Sequence, residues 1–500
     1  MALEQLCIAI DCPGGDDRII NGQLRSHDYD AVPAVCELSK EHPDVVFYLF
    51  GNKELIEGLK KQYDCGDNIK VENVPTVFPM DGNLREWLRR DTTISKALEL
   101  HHEGKVDAVY TSGNSAAGVV CSRQICGLID DLFNYSLVAH MPTGMNSKCY
   151  INDVGANKNP RPEDMLVNAI LTQVFYKIME KDSTLPKIGM FDNPFTEAAL
   201  PYLKELSNFV GIVKPEDVYD GKVKIVVTDG FLGNIHINET QALVKAIWHK
   251  IKPEGKSYLY AGWNVVVNGI LKPYFTPYNC CSSRTQFRTT ETKPYMLAFG
   301  RTVDETVKDV IEVLNHLSMS SANIGVLSNG EEDIKGNQFS HDLRKELERR
   351  GMPCIGNVEP KECIKGKIIR NGIEKRIDVL ATDTYTAQLK IQNAAIIEKR
   401  FIPFLRERLT PWNMVFRQKK LKELKEILDT SNYNGAPILG VNGYELIGHG
   451  SANRPAIKAG IKRTIILRKT EYVENEKLAT QQIKEIINKV KQTSLKQSTA

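Results

Sequence analysis

Five segments of this 500-residue chain carry residue types and spacings suited to holding an anion. They are Gly14-Gly15, 112–118 with Ser112, Gly113, Asn114 and Ser115, then Gly155-Ala156-Asn157, Gly230–Asn234 with Gly233, and Gly330–Asn337. Small residues after a strand let successive backbone N–H groups turn toward a phosphate at the start of a helix. Each segment alone is first of all a turn. Five together imply an anionic ligand such as phosphate, without fixing what is done to it. Other chemistries fail on spacing. No G-x-G-x-x-G follows a strand, and Gly255-Lys256-Ser257 lacks the first glycine of a P-loop, where Lys250 stands. Gly113-Asn114-Ser115-Ala116-Ala117-Gly118 misses the nucleophile elbow, which needs glycine two residues after the serine. There is no H-E-x-x-H and no C-x-x-C, so neither a metal nor a cofactor is expected.

The elements that position these loops follow from periodicity. Short apolar runs ending in Gly, Asn or Asp recur along the chain, four of them at these loops: Leu6–Asp11, Val45–Phe50, Val106–Thr111, Cys149–Asp153, Val223–Thr228 and Ile377–Thr382. Between the runs lie helical patterns. In Pro162–Glu180 the proline suits the first turn, Glu163 and Asp164 favour the N-terminal dipole, and Leu166, Ile170 and Val174 share a face. Val303–Leu317 repeats the pattern with Val307, Val310, Ile311 and Leu314. Strand–loop–helix repetition predicts an α/β fold, a mostly parallel sheet with helices on both faces and ligands at the carboxyl ends of strands.

The chain also repeats itself. Ile188–Phe191 echoes Ile324–Leu327, and Val210–Val213 with Pro215 and Gly221 echoes Ile355–Val358 with Pro360 and Gly366. Lys224–Asp229 matches Ile377–Asp383, and Pro294–Gly300 aligns with Pro437–Gly450. The expected division is 1–184 as an N-terminal α/β half, 185–320 and 321–469 as two copies of a C-terminal half-domain, and 470–500 as an amphipathic helical tail. That tail places Ile483, Ile486, Ile487 and Val490 at helical spacing.

Charge is uneven. From Ile391 to the end there are 20 Lys+Arg against 10 Asp+Glu, although the whole chain is only +3. A basic final fifth suits an acidic partner: an anionic lipid surface, nucleic acid or an acidic carrier protein. Eleven cysteines without a pairing pattern suggest no disulfide framework and a reducing, cytoplasmic setting. No apolar run approaches the ~20 residues of a membrane span.

In order, the motifs resemble the PlsX phosphate acyltransferases. Asp11–Asp16, Arg89–Thr93, Gly104–Ala108, Ser112–Ala117 and Asp153–Asn157 carry the likeness through the first half. Asp229–Asn234, Gly330–Asn337, Tyr433–Pro437, Gly440–Gly443 and His449-Gly450-Ser451 continue it, so it spans about 1–469. The resemblance implies a Rossmann-like three-layer α/β/α sandwich, isopropylmalate dehydrogenase- and phosphotransacetylase-like, with a repeated half-domain. It implies transfer of a fatty acyl group from acyl carrier protein to inorganic phosphate, giving acyl phosphate for phospholipid synthesis. No nucleic acid is then expected. Phosphate is already a nucleophile, so the site must hold it beside the thioester, stabilise an oxyanion and let the thiolate leave. A phosphotransacetylase-like enzyme using acyl-CoA, and a non-catalytic scaffold for membrane or carrier protein, are the alternatives.

The family pattern is divided between the copies. Lys335-Gly336-Asn337 is intact in copy two, where copy one has Asn193–Leu200 with Ala199 near the lysine position. Asp229–Asn234 is intact in copy one, where copy two reads Asp383–Gln388. By resemblance Lys335 acts on the phosphate or the oxyanion, and Asn234 positions the acyl carbonyl. Gly14, Gly15, Ser112, Gly113, Asn114, Ser115, Asn157, Gly233, Asn337 and His449 line the phosphate and substrate. A composite site shared by the copies, as subunits of the ordinary dimer would share it, is preferred to a decayed copy or a pseudoenzyme. Arg89 and Arg90 read as solvated, and His101 and His102 as surface residues. Tyr258–Tyr278 and Phe401–Phe416 read as helical hairpins. The second, within 401–420, joins an apolar tip to a basic collar and suits peripheral docking on the inner face of a membrane or a repeat–repeat or homodimer interface equally.

Overall fold

In the computed structural model, residues 5–14, 18–20, 23–25, 29–79, 84–131, 133–143, 147–251, 278–279, 285–287, 295–317, 322–396, 434–450 and 452–498 are described. The chain opens with β1 (Leu6–Asp11), a small hairpin of β2 (Arg18–Ile20) and β3 (Gln23–Arg25), α1 (Ala31–Glu41), β4 (Val45–Gly51), α2 (Lys53–Gln62) and β5 (Ile69–Asn73). It continues through α3 (Leu84–Trp87), α4 (Thr93–His102), β6 (Ala108–Thr111), α5 (Ser115–Ile125), β7 (Ser136–Pro142), β8 (Lys148–Asn152) and α6 (Pro162–Glu180). Next come β9 (Ile188–Phe191), α7 (Thr196–Leu203), β10 (Phe209–Val213), α8 (Pro215–Tyr219), β11 (Ile225–Val227) and α9 (Gly230–Ile251). A second series follows: β12 (Tyr278–Asn279), β13 (Thr285–Phe287), β14 (Tyr295–Gly300), α10 (Val303–Leu317), β15 (Ile324–Leu327), α11 (Gln338–Arg349) and β16 (Cys354–Val358). It ends with α12 (Pro360–Lys365), the hairpin β17 (Lys367–Arg370) and β18 (Ile373–Arg376), β19 (Val379–Asp383) and α13 (Thr384–Ile396). The last elements are β20 (Ala436–Leu439), β21 (Glu445–Ile447), α14 (Arg454–Arg468) and α15 (Tyr472–Ser498).

Two sheets organise the core. The larger has eleven strands in the order β10-β9-β11-β8-β7-β20-β21-β6-β1-β4-β5, and the smaller has six, β12-β13-β14-β19-β15-β16. Alternation along each strand feeds both faces. Ile8 and Ile10 join a cluster under α1, α6, α14 and α15, whereas Ala9 packs with Ile94, Leu98 and Ala117 of α4 and α5. Met296, Ala298, Val379 and Ala381 face α10 and α11, while Leu297 and Leu380 face the helices between the sheets. Each sheet is thus the middle of an α/β/α sandwich, as expected.

The repeat is visible in strand order. β8-β11-β9-β10 recurs as β14-β19-β15-β16, all parallel. Its details recur too. A Cβ at Gly189 would meet Val213 at 2.5 Å, and one at Gly325 would meet Val358 at 2.4 Å. The fourth block of the sequence alignment does not recur. β14 holds the place of β8, while β20 and β21 return to the large sheet between β7 and β6. Strand periodicity could not separate these two destinations, because both runs are buried on both faces.

Two side-chain expectations are corrected. His101 is not a surface residue: its Nδ1 lies 3.0 Å from Val106 O, and its Nε2 accepts Tyr444 N–H at 2.9 Å. That backbone N–H comes from the distant strand β21 region, which the local pattern does not reveal. Cys36 and Cys65 form a disulfide joining α1 to the segment after α2. The tail is a helix: α15 buries Tyr472, Ile483 and Ile487 against α6 and α7.

Two acids are buried where α15 packs on the sheet, Glu445 on β21 and Glu476 on α15 itself. Burial pushes Glu445 up to about 8 even though Cys126 Sγ donates to it at 3.2 Å, and raises Glu476 far above the carboxylate range. Such an acid stays protonated in the fold but ionises when the chain unfolds, so the unfolded state binds fewer protons. Stability therefore falls as pH rises from about 4.5 to about 8. Glu445→Gln should remove the Glu445 share of this slope, leaving that of Glu476 and the other buried acids, and stabilise the chain by roughly 2–5 kcal/mol above that window. Denaturant titrations at pH 5 and pH 8.5 test it. An unchanged slope in the variant would exclude Glu445 as its source.

Candidate functional site

β8 ends at Asn152, and Asp153 builds the turn that follows. Its Oδ1 accepts the N–H groups of Gly155 and Ala156 at 3.0 Å, and its Oδ2 accepts that of Asn157 at 2.5 Å. Leu137 N–H adds a further bond at 3.1 Å. Burial nevertheless pushes this carboxyl up to about 6. The Asn152–Asp153 peptide is cis. The turn is pressed onto the first turn of α9. A Cβ at Gly233 would lie 1.9 Å from Asp153 O, and one at Gly230 would lie 2.9 Å from Asn157 O. Only glycine permits that approach. Asn234 is thereby fixed: its Nδ2 donates to Val154 O at 3.1 Å, and its Oδ1 accepts from Asn238 at 2.7 Å. The amide keeps a second N–H.

Equivalent helices α9 and α13 meet at the seam between the sheets. Asp229 caps α9 by accepting the N–H groups of Phe231 and Leu232. Burial, then the nearby Asp383 and Asp153 carboxyls, push it up to about 7 against those bonds. Asp383 caps α13 through Thr386, accepting its N–H at 2.9 Å and its hydroxyl at 2.6 Å. In α13 the positions matching Gly230 and Gly233 are Thr384 and Ala387, so no loop can settle there as 153–157 settles on α9.

Lys335 lies in the loop between β15 and α11. Asn329 Oδ1 accepts Gly336 N–H at 2.8 Å, and Asn337 Oδ1 accepts Ser340 N–H at 2.9 Å, capping α11. Gly336 has φ +103°, which favours glycine. The two loops touch: Lys158 Nζ donates to Gly336 O at 2.7 Å. Residues 153–158 therefore reach Asn234 at one end and the Lys335 loop at the other. Asn157 belongs to this group, its Nδ2 lying 3.5 Å from Asp164 Oδ2. Lys158 escaped sequence reasoning; its adjacency to Asn157 was the available signal.

The other expected residues lie elsewhere. β7, β20 and β21 alternate in direction between β8 and β6, so β1, β6 and β21 end at the opposite sheet edge from β8, β9 and β11. Gly14, Ser112, Gly113, Asn114, Ser115 and His449 occupy that other edge. Asn114 caps α5, accepting Ala116 and Ala117 N–H at 3.0 and 3.1 Å, and donates to Pro79 O. A Cβ at Gly113 would stand 3.1 Å from Asp11 Oδ2, which also accepts the Thr111 hydroxyl at 2.6 Å. His449 is exposed, its N–H bonded to Asn434 Oδ1 at 2.9 Å. One group of loops thus serves the seam and another the far edge. Arg89 and Arg90 are exposed, with Arg90 paired to Glu86 and stacked on Trp87. Ala199 is buried within α7, so copy one offers no cation at the lysine position. Gly15, both expected hairpins apart from Tyr278, and Cys280-Cys281 lie outside the described residues. Among the described residues no cluster of His, Cys, Asp or Glu is arranged to hold a metal, and no helix is long and apolar enough to cross a membrane.

An α/β/α fold that brings a lysine, asparagines and backbone N–H groups to strand ends is of the kind suited to anion handling and group transfer. The chain belongs to the fatty acid synthesis protein family, whose profile matches residues 6–281 and 300–475. A phosphate acyltransferase from Mycoplasma capricolum is 33% identical over 236 residues, covering 45% of this chain and 70% of that one. One from Thermosipho africanus is 32% identical over 281 residues, covering 54% and 80%. A solved phosphotransacetylase from Streptococcus pyogenes overlays 48% of this chain and 82% of its own at 17% identity, with a TM-score of 0.34. The family match bears out the resemblance to the PlsX phosphate acyltransferases and the reading of the chain as an acyltransferase.

Proposed function

We propose that this acyltransferase moves a fatty acyl group from acyl carrier protein to inorganic phosphate at one composite site, giving acyl phosphate for phospholipid synthesis. The observation that carries the reading is the 153–158 turn, which contacts Asn234 of the first copy and the Lys335-Gly336 loop of the second. A phosphate held beside Lys335 attacks the thioester carbonyl carbon. Charge develops on the carbonyl oxygen, where the remaining Asn234 N–H and the Lys335 ammonium supply stabilisation. The carbon–sulfur bond then breaks, and the thiolate leaves with the carrier. No enzyme nucleophile takes part. The reading places the chain in the cytoplasm, with peripheral contact to an anionic membrane surface through 401–420.

Incubation with palmitoyl-carrier protein and phosphate, with hydroxylamine trapping, tests the proposal. Phosphate-dependent palmitoyl hydroxamate is the expected result. Product with acetyl-CoA alone would favour the phosphotransacetylase-like alternative. No product from either donor would remove the catalytic reading.

A further inference from the structure

We propose that Lys158 is a second ammonium ligand for the phosphate at this site, working across the seam with Lys335 and setting the site's affinity for a doubly charged anion. This rests on phosphate being the acceptor substrate. The side chain leaves the first half of the molecule and ends in the second, where Nζ donates to Gly336 O at 2.7 Å. Its next neighbour of like charge is Lys335, whose positive charge adds to burial in bringing the Lys158 amine down to about 8.

The surroundings sharpen the case. His341 on α11 also faces Lys158, and burial with the Lys158 charge holds its imidazole below the usual range; Arg344 and Lys345 stand beyond it. Of the acids nearby, Glu332 lies beside the Lys335 stem, its Oε2 2.9 Å and the Lys335 Cγ 2.5 Å from where a Cβ on Gly330 would stand, and others are engaged elsewhere. Asp153 is turned into the N–H groups of its own loop, Asp333 pairs with Arg344 at 2.6 Å, and Glu331 lies 3.2 Å from Arg370. Neither Lys158 nor Lys335 has an ion-pair partner among the described residues. Two ammonium groups gathered in a half-buried seam repel each other, and an anion between them turns that repulsion into attraction. A hydroxyl is also poised there: Ser328 Oγ is fully buried and without a hydrogen-bond partner, 3.4 Å from where a Cβ on Gly336 would stand.

A purely structural latch from Lys158 to Gly336 O predicts something different, so calorimetric titration with inorganic phosphate separates the two. Lys158→Met should weaken phosphate binding about 10- to 100-fold, the loss of one charge-assisted hydrogen bond. In turnover it should raise the KM for phosphate more than it lowers kcat. Lys158→Arg should restore affinity. Wild-type affinity should fall, relative to Lys158→Arg, as pH passes about 8, because only the lysine loses its charge there. Unaltered phosphate affinity in folded Lys158→Met, or the same pH profile in wild type and Lys158→Arg, would overturn the proposal. Wild-type protein that binds phosphate through Lys158 but makes no acyl phosphate would sink the acyl-transfer reading while supporting this one. Wild-type protein that does not bind phosphate would sink both.

Discussion

Lys335→Ala and Asn234→Ala should each lower acyl phosphate formation by about 10²–10³-fold or more, the scale of a lost oxyanion contact. The two residues sit on different copies of the repeat, Lys335 on a loop and Asn234 in the first turn of α9, each beside its own helix cap. Asn337 fixes the start of α11 beside Lys335, and Asp229 fixes the start of α9 before Asn234. Removing either side chain leaves those caps in place, although Asn234→Ala also gives up the bond to Val154 O. The double variant should be little worse than the worse single one, because both act on one transition state. Gln388, which occupies the Asn234 position in the second copy, is exposed, and Gln388→Ala should leave turnover unchanged. Steady-state rates with hydroxylamine trapping check all four. If only one of Lys335 and Asn234 matters, the site is not composite and one copy has decayed.

What the sequence made legible is what local chemistry dictates. α6 and α10 run over the residues that apolar spacing, first-turn acids and, in α6, the leading proline indicated. The glycine loops were legible because a turn pressed against a helix tolerates nothing larger, and Gly233 against Asp153 is the extreme case. The rest depends on long-range partners. A strand reads the same in either direction, so the reversal across β7, β20 and β21 had no local signal, and it divided the expected loops between two edges. Lys158 looks like any solvated lysine until Gly336, 178 residues later, is brought to it. His101 is likewise placed by Tyr444, across 343 residues. Adjacent cysteines draw the eye in a sequence, whereas Cys36 and Cys65 are paired only by the packing of α1 on α2.

The same dependence on partners governs the seam itself. Lys390 of α13 and Glu239 of α9 are 1% and 3% exposed and paired with each other. Asn393 donates to Glu239 at 3.0 Å, and the Lys390 ammonium lies 5.1 Å from the Phe287 ring centroid. Asn393 and Glu239 are 154 residues apart, and the same interval relates Asp383 to Asp229 and Lys390 to His236. Equivalent positions of the two copies touching each other is the mark of a pseudo-two-fold axis, so the pair lies at the centre of the contact between the copies. At that centre burial leaves His236 neutral, its imidazole brought down to about 4, and Lys390 is the cation that answers Glu239. Lys390→Met should therefore strand the Glu239 carboxylate in an apolar seam, at a cost of about 3–5 kcal/mol. Joining it with Glu239→Leu should recover most of that loss, since two apolar side chains need no partner there. Denaturant midpoints of the two single variants and the double one measure the coupling; a Lys390→Met chain as stable as wild type would show that water or another group reaches Glu239. Acyl phosphate formation should fall with stability in the single variants. α9 carries Asn234 and α13 locates the second copy, and a seam that loosens there separates the 153–158 turn from the Lys335 loop it must meet.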